Sequence, residues 1–243
     1  DKAEQYANML EHTKIADIVK GVQICFDPVD KETVMPDDEL IMKQYYEFED
    51  IVEECNAITV EESENKKQTS RWVIRIAFNA ETLFEKNITM DDINFAINNS
   101  YGEEITCVYS DYNAKNLIFR IRLNSDVLNK AKKRGVASSL DQSDEIYMLR
   151  NFQEMILNTI VLRGLPGITN VLPRKLQNMV SKEDGKYVQK DIWILDTTGS
   201  NLIDVLGLDY IDWVRTYSND IKEVFDTLGI EAARQVLFNE LSE

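Results

Sequence analysis

Histidine is almost missing from this sequence: His12 stands alone among 243 residues. A histidine-rich metal site is excluded, and so is any Ser/His/Asp triad built without His12. Cysteine is scarce too. Cys25, Cys55 and Cys107 are odd in number and far apart, with no CxxC pair. That predicts reduced, buried thiols in an intracellular protein rather than a disulfide framework. No apolar run reaches the roughly 18 residues of a membrane-spanning helix, and the first residues carry no signal-peptide pattern. Positive charge is outnumbered: 27 Lys and Arg against 43 Asp and Glu leave a net charge of −16. A free-standing nucleic-acid binder needs a basic face, so the balance argues against that class while allowing a local DNA-facing patch within a larger assembly.

Catalytic signatures are missing as well. There is no GxxxxGK[ST] phosphate loop, no HExxH, no GxSxG and no EF-hand pattern. The acids form no short cluster of the kind that holds two metal ions. The acid-rich stretch "DPVDKETVMPDDE" (27–39) reads as a solvated turn and a helix N-terminus, with a cation site as the alternative. The sequence opens at Asp1 without methionine and is expected to be a piece of a longer polypeptide.

What is present is patterned. Hydrophobic residues make up 44%, and a chain of this length buries roughly 70% of its unfolded surface as one large domain or two small ones. "KAEQYANMLEHT" places Tyr6, Met9 and Leu10 on one helical face. "KGVQICFDP" alternates Val22, Ile24 and Phe26 and predicts a strand ended by Pro28. "MPDDELIMKQYYEFEDIVEE" starts a helix at Pro36, with Asp37, Asp38 and Glu39 favourably placed at its positive end and Leu40, Ile41, Phe48, Ile51 and Val52 as the apolar stripe. "EESENKKQTS" (61–70) is a polar loop.

"RWVIRIAF" alternates Trp72, Ile74, Ile76 and Phe78 against Arg71, Val73, Arg75 and Ala77, the pattern of a half-buried strand. "TMDDINFAINNSYG" is a short helix capped by Thr89, with Asp92 three residues on and Gly102 near its end. "ITCVYSDYNAKNLIFRIRLN" predicts a hairpin turning near Asn113: Ile105, Cys107 and Tyr109 share one face of its first strand, and Leu117, Phe119, Ile121 and Leu123 one face of its second. Ile146, Leu149, Phe152, Ile156 and Ile160 follow at helical spacing, then two strands around "KEDG". From 71 to 180 the order is β-α-β-β-α-β, which predicts an α+β fold with a ferredoxin-like antiparallel core. The tail from Leu202 is helical, with Ser218 or Asn219 as a cap.

"VFDTLGIEAARQVLFNEL" (224–241) breaks a helical pattern at Gly229. It is either a DNA-reading helix-turn-helix or a packed helical corner. The second helix offers Arg234, Gln235 and Asn239 but counters them with Glu231, Glu240 and Glu243, so a corner burying Leu228, Ile230, Val236, Leu237 and Leu241 is the expectation. Lys130, Lys132, Lys133 and Arg134 form a basic run in an acidic chain. A solvated loop is its plainer reading, and contact with DNA or an acidic partner the functional one.

Five segments carry a resemblance in a fixed order: "EHTKIADIVKGVQICFDP" (11–28), "TVMPDDELI" (33–41), "LRG" (162–164), "WILDTTGSNL" (193–202) and "TYSNDIKEVFDTLGIEAAR" (216–234). Together they resemble the largest subunit of eukaryotic-type DNA-directed RNA polymerase II, in the part that follows the trigger loop. The resemblance implies cleft region at 1–35 and 191–243 and a jaw inserted at 36–190. It implies a non-catalytic portion of a nucleotidyltransferase that shapes the downstream-DNA side of the cleft and receives a small zinc-ribbon subunit and the transcript-cleavage factor. Catalytic, cofactor-binding and metal residues are expected to be none here, because the resemblance places the magnesium and zinc sites of the subunit upstream. The implied compartment is the nucleus, or the cytoplasm or virion for a virus-encoded polymerase. In the predicted core the first strand of the hairpin is an outer strand, so Thr106, Cys107, Val108 and Tyr109 are the candidate edge for a partner strand. The competing reading is an independent acidic α+β interaction module.

Overall fold

The computed structural model describes residues 2–29, 31–57, 69–124, 142–183 and 186–242. The chain divides into two compact units: Lys14–Leu162, and Asp1–Thr13 together with Arg163–Glu243. Strand pairing runs across residues 35 and 190: the strand at 19–26 pairs with the one at 69–78, and the 170–198 hairpin spans residue 190.

The unit Lys14–Leu162 is built on a four-stranded antiparallel sheet. Its strands are β2 (Val19–Phe26), β3 (Thr69–Phe78), β4 (Ile105–Tyr109) and β5 (Ile118–Asn124), in the order β2-β3-β5-β4. One face is apolar. Ile24 sits opposite Ile74, Ile74 opposite Ile121, and Ile76 opposite Phe119. Helices α2 (Ile15–Ile18), α4 (Ala80–Glu85), α5 (Met90–Tyr101) and α6 (Gln142–Thr159) send Ile15, Ile18, Leu83, Ile93, Ile97, Leu149 and Ile156 into the same core. Phe152 meets the edge of Tyr101 at 5.0 Å. Helix α5 begins as its sequence dictates: Thr89 Oγ1 accepts from Asp92 N at 3.2 Å, and Asp92 Oδ2 accepts from Thr89 N at 2.9 Å.

Three expectations are corrected in this unit. The order β-α-β-β-α is present, but the fourth strand of the sheet is β2, and the strand at 170–183 is not part of it. A strand joined to its neighbour by a short turn closes a small loop at little entropic cost, so that strand pairs locally instead. The second face is also covered at its centre: Val73 is 0% and Arg120 2% exposed there. Finally, α3 (Glu39–Ala57), which follows a 3-10 turn at Pro36–Asp38, buries Met42, while Leu40, Phe48, Ile51 and Val52 of the predicted stripe are exposed.

The other unit gathers α1 (Lys2–Leu10), β7 (Asn170–Glu183), β8 (Lys186–Thr198) and α7 (Leu202–Leu206) around Ala7, Leu10, Ile168 and Val171. Tyr6 stacks on Tyr210 at 4.5 Å. The predicted hairpin around "KEDG" is present, with Asn170 opposite Thr198 and Glu183 opposite Lys186. Two short strands, β1 (Thr13–Lys14) and β6 (Val161–Arg163), also pair with each other.

The unit ends in α8 (Ile221–Leu228) and α9 (Ile230–Ser242), which pack on one another. The cap of α8 is Asp220, accepting from Lys222 N and Glu223 N, rather than Ser218 or Asn219. The corner at Gly229 exists, but its burial was misjudged. Val224 and Ala233 are buried, whereas Leu228, Ile230, Leu237 and Leu241 are exposed. Two helices bury only the side they turn to each other, which leaves an amphipathic flank open.

Gly229 has φ +89°, and a Cβ built there meets nothing within 4 Å. The residue is needed for its backbone conformation, and space is no constraint. Gly229→Val is expected to destabilise the corner by about 1–3 kcal/mol. Thermal melts of parent and variant measure it, and an unchanged melt would contradict the assignment.

Candidate partner edge and the ion network behind it

Strand β4 is one of the two outer strands of its sheet, with β2 at the other end, and pairs only with β5 among the described residues. The register is Ile105 with Leu123, Thr106 with Arg122, Cys107 with Ile121, Val108 with Arg120 and Tyr109 with Phe119. Alternation therefore gives the four candidate edge residues two environments. Cys107 and Tyr109 pack against the apolar core. Burial pushes the Cys107 thiol up to about 12, so it is protonated and unreactive at neutral pH. Tyr109 stacks on Phe119 at 5.4 Å and donates to Asp91 Oδ1 at 2.8 Å. Burial, then that hydrogen bond, raises its hydroxyl pKa. Thr106 and Val108 share the second face, opposite the arginines of β5. Helix α3 lies against β4.

The second face holds a buried network that sequence reasoning missed. Arg120, 2% exposed, bridges two carboxylates that are each 0% exposed, donating through Nη1 to Asp38 and through Nη2 to Asp27. Arg75 grips Asp38 through Nε, at 2.9 and 3.1 Å, and through Nη2, at 3.0 Å. Arg122 Nη2 reaches Asp27 Oδ2 at 3.3 Å. Asp27 Oδ1 also accepts from Val34 N at 3.2 Å and Thr33 Oγ1 at 3.4 Å. The Asp38 contact raises the pKa of Arg75 further, mainly by hydrogen bonding. Cys25 lies on this face, and burial raises its thiol pKa against the pull of Arg120 and Arg75.

These geometries correct the reading of 27–39 at its two end acids, which are neither solvated nor open to a cation, while most of the described residues between them are exposed as a solvated turn is. Asp27 and Asp38 are consumed by guanidinium groups, which satisfy buried carboxylates with charge-assisted hydrogen bonds. The network fastens both ends of the 27–38 segment to β3 and β5, and so sets where α3 begins. Arg120 and Arg122 do alternate with Phe119, Ile121 and Leu123. That pattern distinguishes the faces but says nothing of what covers the second one. The basic run Lys130, Lys132, Lys133 and Arg134 lies outside the described residues.

Residues 13–163 match the sequence model of the family described as RNA polymerase Rpb1, domain 7. The match covers well over half of the 243 residues and nearly coincides with the compact unit Lys14–Leu162. The chain belongs to that family: it is a part of the largest subunit of a DNA-directed RNA polymerase, and other polymerase subunits are its partners. The reading as an independent interaction module is thereby set aside.

Proposed function

We propose that this chain is the non-catalytic jaw and adjoining cleft portion of the largest subunit, placed where downstream DNA meets the cleft. In this reading the jaw is 36–190, the cleft pieces are 1–35 and 191–243, and the assembly works in the nucleus, or in the cytoplasm or virion if virus-encoded. The small zinc-ribbon subunit docks on the jaw by adding a strand at β4, and the transcript-cleavage factor binds on or near the same domain. The observation that carries the docking is the position of β4. An outer strand leaves one row of backbone N–H and C=O groups without a strand partner, and a partner strand satisfies them. Beside it, α3 presents Phe48, Ile51 and Val52 to solvent, at 65%, 57% and 39% exposure, as apolar surface for the same partner. The basic run at 130–134 is assigned to DNA or an acidic partner.

The reading predicts that the purified chain binds the small zinc-ribbon subunit in calorimetry and incorporates no nucleotides on a primed template. Phosphoryl transfer needs metal ions held by carboxylates to neutralise developing charge, and the reading places those carboxylates upstream of this chain. Template-dependent incorporation by the chain alone, or failure to bind the small subunit, would overturn the assignment.

A further inference from the structure

At the end of the sheet remote from Asp27, on the arginine-bearing face, lies an open cavity of about 470 Å3. Its floor is made of small residues: Gly21 and Ala77 face each other across β2 and β3, and a Cβ at Gly21 would meet nothing within 4 Å. The register slips between Val19 and Gly21, so Lys20 is the extra residue of a β-bulge. Such bulges re-aim a side chain that regular alternation would send elsewhere. Here Lys20 lines the cavity, as does Lys115 from the turn between β4 and β5. Arg75 forms a third cationic wall. Its Nε and Nη2 are held by Asp38, leaving Nη1, which makes one long 3.5 Å contact to Gln23 Oε1. Gln23, Asn79 and Asn116 add amide groups, and Glu81 is the single acid. Neither lysine has an ion-pair partner among the described residues.

In a chain of net charge −16, a cavity with three cations, three amides and one carboxylate selects for an anion. We propose that this cavity is a phosphate-binding site. Arg75 is pre-oriented by its buried carboxylate, which offsets part of its charge, and turns Nη1 to the cavity beside Gln23. The two lysines supply mobile point charges, and the amides supply further donors, which together match a tetrahedral oxyanion. The volume lies within the range of small-ligand sites. The phosphate comes either from a free ion or nucleotide, or from the backbone of a nucleic-acid strand. The proposal holds whichever surface receives the small subunit.

The test is NMR titration of the full 243-residue chain, at constant ionic strength, with inorganic phosphate, with adenosine monophosphate and with a single-stranded oligonucleotide. Shifts at Lys20, Gly21, Arg75 and Lys115 with phosphate or the nucleotide identify a free-ligand site. Shifts there with the oligonucleotide alone identify a backbone-phosphate site. In either case the double variant Lys20→Gln with Lys115→Gln weakens binding about tenfold, while Lys222→Gln, on α8, leaves it unchanged and all three proteins melt alike. No shift at these residues with any of the three ligands, or equal binding by the double variant, overturns the proposal.

Discussion

Asp38→Ala should remove about 3–5 kcal/mol of stability from the unit Lys14–Leu162, because it leaves buried guanidinium charge without its partner. Asp38 is shared by Arg75 and Arg120, and its side chain is wholly buried. Against a total stability of about 5–15 kcal/mol for a domain, the loss is large enough to unfold a fraction of the protein at ordinary temperature. Arg120→Met is the informative companion. It removes the central cation but leaves Asp38 with Arg75 and Asp27 with Arg122, and it supplies an apolar chain of similar length. Its loss should be clearly smaller than that of Asp38→Ala. Urea unfolding of the two variants measures the difference. Equal losses, or an Asp38→Ala protein as stable as the parent, would mean that the network does not hold the 27–38 segment to the sheet.

Gly164→Ala should be nearly as damaging, in the other unit. Gly164 has φ +90°, and a Cβ there would lie 2.1 Å from the carbonyl oxygen of Glu11 and 2.6 Å from the nitrogen of His12. Both are backbone atoms, so no side-chain rotation relieves the clash. The opposing chain is also pinned: Glu11 N donates to Ala7 O at 3.1 Å, His12 N to Ile168 O at 2.9 Å, and Leu165 N to Leu10 O at 3.1 Å. Left-handed strain of about 1–3 kcal/mol adds to the loss of hydrogen bonds of about 1 kcal/mol each, for a total of about 3–5 kcal/mol. The variant should lose amide protection at His12 and Leu165 before the rest of the molecule. Retained protection there, with an unchanged melt, would contradict the close packing of these two segments. The contrast with Gly229, where a Cβ meets open space, separates a clash from strain alone.

The parts of this molecule that could be read in advance are the local ones. The Thr89–Asp92 capping box, the hairpin around Asn113 and the alternation of Phe119, Ile121 and Leu123 are set by residues a few positions apart, so spacing and turn chemistry suffice. The outer position of β4 came from the expected ferredoxin-like arrangement, and it holds although a different strand completes the sheet. The sheet's fourth strand did not. β2 and the later strand at 170–183 have similar strand character, and the choice between them is made by tertiary packing that neither segment encodes alone. The ion network was hidden for a related reason. Asp38 and Asp27 lie 82 and 93 residues from Arg120, and arginines alternating with apolar residues look the same whether their face is solvated or capped by carboxylates. Periodicity likewise located the apolar flanks of α3 and α9. It did not show that Phe48, Ile51, Leu237 and Leu241 would remain exposed, because a stripe records a need for cover and not its source.

Strand β4 is the proposed place where a second subunit adds its strand. Hydrogen exchange on the 243-residue chain, with and without the small zinc-ribbon subunit, reads that edge directly. Strand addition predicts new backbone protection at 104–110, on the side of β4 that has no strand partner among the described residues. Protection gained only in α3 and α6, with the exchange of 104–110 unchanged, would contradict it.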